Sequence, residues 1–357
     1  KIEILWGDDQ RDPKQGVAIA QQFVSAGVAG VIGHFHSSVS IPASTVYHEG
    51  GLVQITPAST NPQYTERGLW NVFRVCGRDD QQGKVAADFV VQKLKAKRVA
   101  VLHDKTTYGQ GLADEFAKAI KAQKVTPVSY GGVTQGDKDY TAVLTALKGK
   151  DPQVLFFGGI YPEATLLSKQ MRALGLKAAF VSGDGVWTEE YIKIAGPAAE
   201  GAYITFTPDQ KRIKEAQSVI RRHQEKYGRD VGAYTIYSYV AATIPEAGRP
   251  HPEDELADGA GADRVRPQGG REGVALRGLA GQEREVRRAA LKGAPTGGSA
   301  GQAGGDLLTW SLAGPNSLVL LAFLATGRDN NPRKSGERRG GGEGKPIAQQ
   351  GVLEVKP

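Results

Sequence analysis

The feature that most constrains this chain is a repeating pattern between residues 1 and about 245. Short runs rich in β-branched residues alternate there with amphipathic runs of about 12 to 18 residues, which is typical of βαβ units around a parallel sheet. In the first repeat, residues 2–6 alternate like a strand, Asp12 and Pro13 suit the start of a helix, and Gly27 suits its end. The pattern therefore predicts an α/β fold with parallel sheets.

The same pattern predicts the positions of the individual elements. Strands are predicted at residues 2–6, 28–33, 52–56, 72–75, 98–103, 126–130, 154–158, 179–182 and 202–206. Further helices are predicted at about residues 41–47, 80–95, 109–123, 139–148, 162–174, 210–227 and 233–243.

The periodic pattern ends near Thr243, where the composition also changes. Residues 1–250 contain 26 glycines and residues 251–357 contain 21, while only Trp310 and Phe323 among the aromatic residues lie in the later part. A segment so poor in large apolar side chains offsets little of its chain entropy by burial. We predict that residues 244–357 form a largely irregular, low-complexity tail. Two interpretations stay open, a disordered tail or a product of out-of-frame translation.

Charge and cysteine content exclude several classes of protein. The net charge of +7 is not gathered into a polybasic block, so neither nucleic acid nor an anionic membrane is an expected partner. Cys76 is the single cysteine, which excludes an internal disulfide framework and a cysteine-based zinc site. The apolar stretch at residues 317–325 is too short to span a bilayer, and residues 1–6 lack the apolar core of a signal peptide. If the protein is exported, its signal precedes Lys1.

Two segments partly match cofactor-binding motifs, but neither contains the complete motif. Residues 77–84 resemble a phosphate-binding loop but have five residues between the glycines and Val85 in place of Ser or Thr. Residues 109–111 supply only half of a dinucleotide fingerprint, because Asp114 occupies the third glycine position. No cofactor and no metal are therefore predicted.

Polar side chains collect where predicted strands end, at residues 33–40, 55–60, 103–111 and 182–185. In open parallel sheets, ligands bind outside the carboxyl ends of the strands. Hydroxyls and free N–H groups suit an anion, and a carboxylate between glycines suits an ammonium group. Ordinary serine caps and tight turns explain each segment separately. Taken together, the four segments favour a site for a zwitterion.

The ordered set of motifs closely resembles the leucine/isoleucine/valine-binding proteins of bacterial ABC transporters over residues 1 to about 243. The matching motifs are Asp8-Asp9, Asp12-Pro13-Lys14-Gln15, Val31-Ile32-Gly33-His34, Ser37-Ser38, Ile55-Thr56-Pro57-Ala58-Ser59-Thr60, His103-Asp104-Lys105, Tyr108-Gly109-Gln110-Gly111, Gly158-Gly159, Pro162-Glu163 and Gly183-Asp184-Gly185. The resemblance implies a type I periplasmic binding protein, with two Rossmann-like lobes joined by three crossovers. It also implies an amino acid in the cleft, a membrane permease as partner and a periplasmic location.

The resemblance also assigns ligand-binding residues. It implies that Ser37 and Thr60 hold the α-carboxylate of an amino acid, and Ser59, in the same turn as Thr60, is also predicted to bind the ligand. It implies that the Ala58 carbonyl and the Asp184 carboxylate hold the α-ammonium group.

Aromatic residues are expected to cover the ligand. The resemblance implies that Tyr108 covers it from the second lobe and Tyr234 from the hinge side. Leucine-type members carry an aromatic residue directly after Gly158-Gly159, where this chain has Ile160 followed by Tyr161. These two residues are expected to shape the pocket for the ligand side chain.

The resemblance implies a domain order and one gap. The first lobe covers residues 1–76, the second lobe 77–207, and residues 208–243 return to the first lobe. Family members begin with a strand and a helix ahead of the segment that opens this chain. Because that strand is central, the first lobe is expected to be incomplete, with two neighbouring strands left unpaired.

We interpret the sequence as a binding protein that delivers an amino acid to a permease, and not as an enzyme. Two alternatives stay open. One is a cytoplasmic amide or amino-acid sensor of the same fold, and the other, less expected, is an enzyme with a dispersed acid/base site.

Overall fold

The strands form two sheets in the computed structural model, which describes residues 2–207, 209–247, 319–325 and 351–354. The strands are β1 (Ile2–Asp8), β2 (Gly30–Ile32), β3 (Gln54–Thr56), β4 (Val72–Arg74), β5 (Val99–His103), β6 (Ser129–Gly132), β7 (Val154–Gly158), β8 (Ala179–Ser182), β9 (Tyr203–Phe206), β10 (Val319–Ala325) and β11 (Gly351–Glu354). The first sheet has the order β1-β10-β2-β3-β4, and the second has the order β11-β9-β8-β7-β5-β6.

Most helices lie between the strands as the sequence pattern predicts, whereas the short helices at Gln63–Glu66 and Glu189–Ala195 were not predicted. They are α1 (Pro13–Ser25), α2 (Ser37–Glu49), α3 (Gln63–Glu66), α4 (Asp79–Asp88), α5 (Thr107–Ala122), α6 (Thr141–Lys148), α7 (Tyr161–Ala173), α8 (Glu189–Ala195), α9 (Gln217–Tyr227) and α10 (Thr235–Ala247). A π-helical turn, Phe89–Lys93, extends α4. The predicted cap is confirmed, since the Asp12 side chain accepts hydrogen bonds from the N–H groups of Lys14 and Gln15 and Pro13 opens α1.

The α/β fold class is confirmed, because β2, β3 and β4 pair in parallel, as do β6, β5, β7, β8 and β9. Several boundaries differ from the predictions. The helix predicted at residues 41–47 begins at Ser37, the strand predicted at 126–130 begins at Ser129, and the helix predicted from residue 210 begins at Gln217 after two short 3-10 turns. These differences lie at element ends, which sequence patterns define less sharply than element interiors.

The first lobe surrounds the five-stranded sheet. On one face, Ile19, Phe23 and Tyr47 of α1 and α2 pack against the sheet. On the other face, Ala241 and Ala242 of α10 pack against β2 and β3. Helix α10 thus packs on the five-stranded sheet although the strands β5 to β9 of the other sheet precede it in the chain.

The second lobe surrounds the six-stranded sheet and has two separate apolar cores. Every residue of β7 is buried; Leu155 and Phe157 face one core, while Val154 and Phe156 face the other. A strand covered on both faces becomes a continuous apolar run, which is why its sequence does not alternate.

The tail contributes two strands that the sequence did not predict. Strand β10 pairs antiparallel with β1, from Ile2↔Ala325 to Asp8↔Val319, and also antiparallel with β2. The two neighbours expected to lack a partner are therefore paired, and that expectation is wrong. Strand β11 pairs antiparallel with β9, so each sheet is mixed and not wholly parallel. Residues 244–247, also predicted to be irregular, form the end of α10, and the remainder of the predicted tail lies outside the described residues.

Candidate functional site

The first part of the candidate site is the start of α2. Ser37 is its first residue, is almost fully buried, and accepts a hydrogen bond from the Asn61 N–H at 3.2 Å. His36, at the N-cap position, provides no side-chain cap. The first N–H groups of a helix have no intrahelical partner. The Ser37 hydroxyl proton and these N–H groups can therefore serve an anion.

The turn after β3 brings the other predicted hydroxyls beside this helix start. The Thr56 hydroxyl accepts from the N–H groups of Ala58 and Ser59, at 3.2 and 3.0 Å, and donates to the His34 carbonyl at 2.6 Å. Ser59 bonds to the Ser40 hydroxyl at 2.6 Å and holds the two loops together. The Thr60 hydroxyl is buried and lies beside the Asp79 carboxyl, whose pKa it lowers as a donor, although no contact between the two meets hydrogen-bond geometry. We call Ser37, Ser59 and Thr60 the hydroxyl side of the site.

Asp184 follows β8 and lies in a set of side-chain hydrogen bonds. Its Oδ1 accepts from Gln82 Nε2 at 2.7 Å and from the Tyr108 hydroxyl at 2.8 Å, and its Oδ2 accepts from the Tyr234 hydroxyl. The side-chain oxygen of Gln82, Oε1, accepts a hydrogen bond from the backbone N–H of Asp184 at 2.7 Å. A carboxylate offers about four acceptor positions. Three are occupied, which leaves Asp184 able to accept from one further N–H group.

A second carboxyl group lies behind Asp184. Asp79, the first residue of α4, is fully buried, and its Oδ1 accepts from Gln82 Nε2 at 3.1 Å. Burial, together with the Asp184 carboxylate, raises the pKa of Asp79 well above its usual range, and burial also raises the pKa of Asp184. We call Asp79, Gln82, Tyr108, Asp184 and Tyr234 the acid side of the site.

An aromatic wall lies next to Asp184. The Tyr234 ring packs edge-on against Phe35 and Phe206, with centroids 5.0 and 5.6 Å apart, and Trp187 stacks on Phe206 at 5.7 Å. Ala58 belongs to the same apolar cluster. We define the aromatic wall as Phe35, Trp187, Phe206 and Tyr234; it places apolar surface beside the polar groups.

The two sides of the site are connected by hydrogen bonds. Asn61 Nδ2 donates to the Thr107 carbonyl at 2.7 Å, directly before Tyr108, and the Asp79 N–H donates to the Thr60 carbonyl at 3.0 Å. A Cβ at Gly111 would lie 2.3 Å from Asn61 Nδ2, so this close approach of the lobes needs glycine there. The lobes meet directly at the candidate site.

The two residues predicted to shape the side-chain pocket lie in different environments. Ile160 is buried in the same apolar cluster as Tyr108. Tyr161 is partly buried and packs, like Trp187, against the cluster on the other face of the sheet. The two neighbours therefore point to different faces, and their assignment to the ligand pocket stays a prediction.

Sequence reasoning missed Asp79, Gln82 and Asn61. Asp79 and Gln82 lie three residues apart at a helix start, a spacing that places two side chains on one helix face. They belong to the segment that imitates a phosphate-binding loop, and this spacing was the available signal. Nothing local distinguishes Asn61, because its partner lies 46 residues away.

Two negative findings concern only the described part of the chain. No group of three or more His, Cys, Asp or Glu side chains there could hold a metal ion. None of its helices has both the length and the apolar character needed to cross a membrane.

Comparison with known proteins identifies the family. Residues 1–257 match the family model described as periplasmic binding protein. The chain belongs to this family. It is 49% identical over 241 residues to Leu/Ile/Val-binding protein homolog 1 of Brucella suis, covering 68% of this chain and 65% of that protein. It is 48% identical over 244 residues to an amino acid binding protein of Pseudomonas aeruginosa, with the same two shares. The match thus spans slightly less than two thirds of these relatives.

Solved structures show the same fold. A leucine-binding protein from Thermotoga maritima superposes with a TM-score of 0.65 at 26% identity, covering 79% of this chain and 74% of that one. A branched-chain amino acid transporter substrate-binding protein from Streptococcus pneumoniae, in complex with isoleucine, gives a TM-score of 0.62 at 24% identity, covering 70% and 73%. The type I periplasmic binding fold implied by the sequence motifs is confirmed.

Proposed function

We propose that this periplasmic binding protein captures an amino acid, branched-chain or related, between its lobes and delivers it to the permease of an ABC transporter. The observation that carries the proposal is the Asp184 carboxylate, buried among donors from three distant segments. Its partner Gln82 also bonds to Asp79, whose N–H donates to the Thr60 carbonyl and so connects the acid side to the hydroxyl side. A zwitterion fits such a site, because the acid side suits its positive group and the hydroxyl side suits its negative group. The names of the Brucella and Pseudomonas relatives support the same ligand class.

The hydroxyl side would hold the α-carboxylate. Ser37 and Thr60 have hydroxyl protons to donate, and the start of α2 adds a positive partial charge. Ser59 has a positioning role, because its hydroxyl is used by Ser40 and the Phe35 carbonyl.

The acid side would hold the α-ammonium group. Asp184 has one acceptor position free, and burial raises the pKa values of Tyr108 and Tyr234, so both hydroxyls remain protonated donors that keep the carboxylate in place. The Ala58 carbonyl would supply a second acceptor. An ammonium group paired with a buried carboxylate binds far more strongly than a neutral amine would.

The aromatic wall would receive the ligand side chain, which favours an apolar one. Docking on the hydroxyl side followed by closure would bring Tyr108 and Asp184 onto the ligand, and the closed form would then dock on the permease in the periplasm. Binding occurs without turnover, so the ligand leaves chemically unchanged.

Isothermal titration of the full chain tests the proposal. Leucine, isoleucine and valine are compared with serine and asparagine, and with two leucine analogues, 3-methylbutylamine without the carboxylate and 4-methylpentanoate without the ammonium group. We expect an apolar amino acid to bind and both analogues to bind far more weakly. Absence of heat with every amino acid would refute the proposal, and equal binding of either analogue would remove the corresponding side from the site.

A further inference from the structure

One amide group bridges two buried carboxyl groups at the centre of the acid side. Gln82 Nε2 donates to Asp79 Oδ1 at 3.1 Å and to Asp184 Oδ1 at 2.7 Å. Asp79 is fully buried, and its Oδ2 has no contact that meets hydrogen-bond geometry among the described residues, although the Thr60 hydroxyl lies close enough to lower the Asp79 pKa. Ligand binding through Asp184 alone gives no role to this second carboxyl group.

The charges around the pair do not balance two carboxylates. The Arg74 guanidinium is the nearby buried cation, and it donates to the carbonyls of Ser59 and Asn61, each at 2.7 Å. Arg78, the residue before Asp79, instead pairs with Glu66 and Asp80 towards the surface.

The remaining titratable groups that face the pair are neutral. Burial raises the pKa of Cys76 to about 12, and burial raises the pKa values of Tyr108 and Tyr234 well above their usual range. Two ionised carboxylates would therefore leave one uncompensated negative charge in a buried site, whereas one retained proton makes the cluster neutral. An uncompensated buried charge is strongly unfavourable. The raised pKa of both carboxyl groups agrees with this count.

A bound amino acid would change the charges next to the pair, although a zwitterion adds no net charge to the site as a whole. Its α-ammonium would lie beside Asp184, and its α-carboxylate would lie away from the pair at the positive start of α2. Two ionised carboxyl groups would then have two cations close to them, Arg74 and the ammonium, so the retained proton is less stabilised than in the empty cleft. Like charges that share a site titrate as a pair, and the proton belongs to the pair and not to one residue.

We propose that Asp79 and Asp184, bridged by Gln82, share one proton while the cleft is empty and release it when a ligand ammonium group binds. The O–H bond of one carboxyl group breaks, its electron pair stays on the carboxylate, and the proton goes to water or buffer. Asp79 is thus a positioning residue that sets the pH dependence of affinity. This inference rests on the proposed amino-acid binding.

Calorimetric measurement of the number of protons released on ligand binding, made on the full chain, tests this inference. Binding of the best amino acid is titrated in phosphate and in Tris, two buffers with different ionisation enthalpies, between about pH 5 and pH 9, a range in which raised carboxyl pKa values lie. We expect the heats to differ between the buffers by the release of up to one proton per ligand. The affinity should rise with pH, by at most about tenfold per unit, until the empty pair is deprotonated. Equal heats in both buffers and a flat affinity would overturn the inference.

Two matched variants locate the proton. Asp79→Asn should abolish the buffer dependence, since Asp184 then has no second carboxyl group with which to share a proton. Asp80→Asn removes the same charge from the next residue, which is exposed and paired with Arg78, and should leave the proton count unchanged. Proton release that persists in Asp79→Asn would contradict the assignment. If no amino acid binds at all, the proposed function fails; binding without proton release removes only this inference.

Discussion

The hydroxyl side and the acid side of the site are built in different ways. Ser37, Ser59 and Thr60 lie within 24 residues, and their hydrogen bonds go mainly to nearby backbone and hydroxyl groups. Asp184 instead binds side chains that lie 102, 76 and 50 residues away. Turns after neighbouring strands assemble the hydroxyl side. The acid side instead forms only when segments far apart in the chain, including the start of α10, have packed together. The hydroxyl side should therefore tolerate single changes better than the acid side.

The largest expected effect is on ligand binding by Asp184→Ala. Removing the carboxylate would leave the ligand ammonium group buried and unpaired, which should weaken binding by about 2 to 5 kcal/mol. Titration calorimetry measures the change, with Asp80→Ala as a control because that carboxylate is exposed and faces Arg78. Unchanged affinity in Asp184→Ala would show that Asp184 does not bind the ligand, and that the acid side is not the more sensitive of the two sides.

Tyr108→Phe should lower the stability of the empty protein. The Tyr108 hydroxyl donates to Asp184 and accepts from the Gly185 N–H at 3.0 Å. Its loss removes one of three side-chain donors to a buried carboxylate and leaves the Gly185 N–H without this partner. We expect the free energy of unfolding to fall by about 1.5 to 3 kcal/mol in urea titrations. Tyr130→Phe is the matched control, because its exposed hydroxyl donates to Asp114 at the surface and its loss should cost under about 0.5 kcal/mol.

The contributions of the two sides to folding stability should change in opposite directions as the pH falls. Burial lowers the pKa of His36, beside the hydroxyl side, to about 4. The unfolded chain thus binds more protons than the folded one between about pH 6.5 and pH 4, and acidification there should cost about 1 to 3 kcal/mol. The raised pKa values of Asp79 and Asp184 act in the other direction, since the folded state then holds the extra proton and is stabilised as pH falls.

Unfolding experiments across this pH range separate the two contributions. His36→Gln should reduce the loss of stability on acidification, and Asp79→Asn should reduce the loss on going to alkaline pH. If His36→Gln leaves the acid response unchanged, the titrating group lies elsewhere and the opposite signs cannot be assigned to the two sides.

The smallest expected effect is that of Ser59→Ala on stability. The Ser59 hydroxyl bonds to Ser40 and the Phe35 carbonyl, and its loss should cost about 1 kcal/mol, because nearby hydroxyls can form replacement hydrogen bonds. Ser218→Ala, at an exposed helical position, should change stability by less than about 0.5 kcal/mol. A loss in Ser59→Ala as large as that in Tyr108→Phe would show that the hydroxyl side is not the more tolerant one.

Much of the fold was accessible from the sequence because it depends on local patterns. The Asp12 cap, strand β8 and the placement of polar residues at strand ends all follow from neighbouring residues. The pairing of β10 with β1 was not accessible in this way, because an apolar run carries no information about its partner strand. Tyr161 shows the same limit, since adjacency to Ile160 does not indicate which face of the sheet each side chain meets.

The sequence by itself determined the α/β class, the order of strands β1 to β9 and the polar segments at strand ends, since strand and helix periodicity and turn chemistry act over a few residues. Only the tertiary structure decided that Gln82 joins Asp79 to Asp184 and that Asn61 joins the lobes. Those contacts connect residues 46 to 102 positions apart. Their formation depends on how the lobes pack, which no local pattern records, and the charge balance of the site follows from that packing.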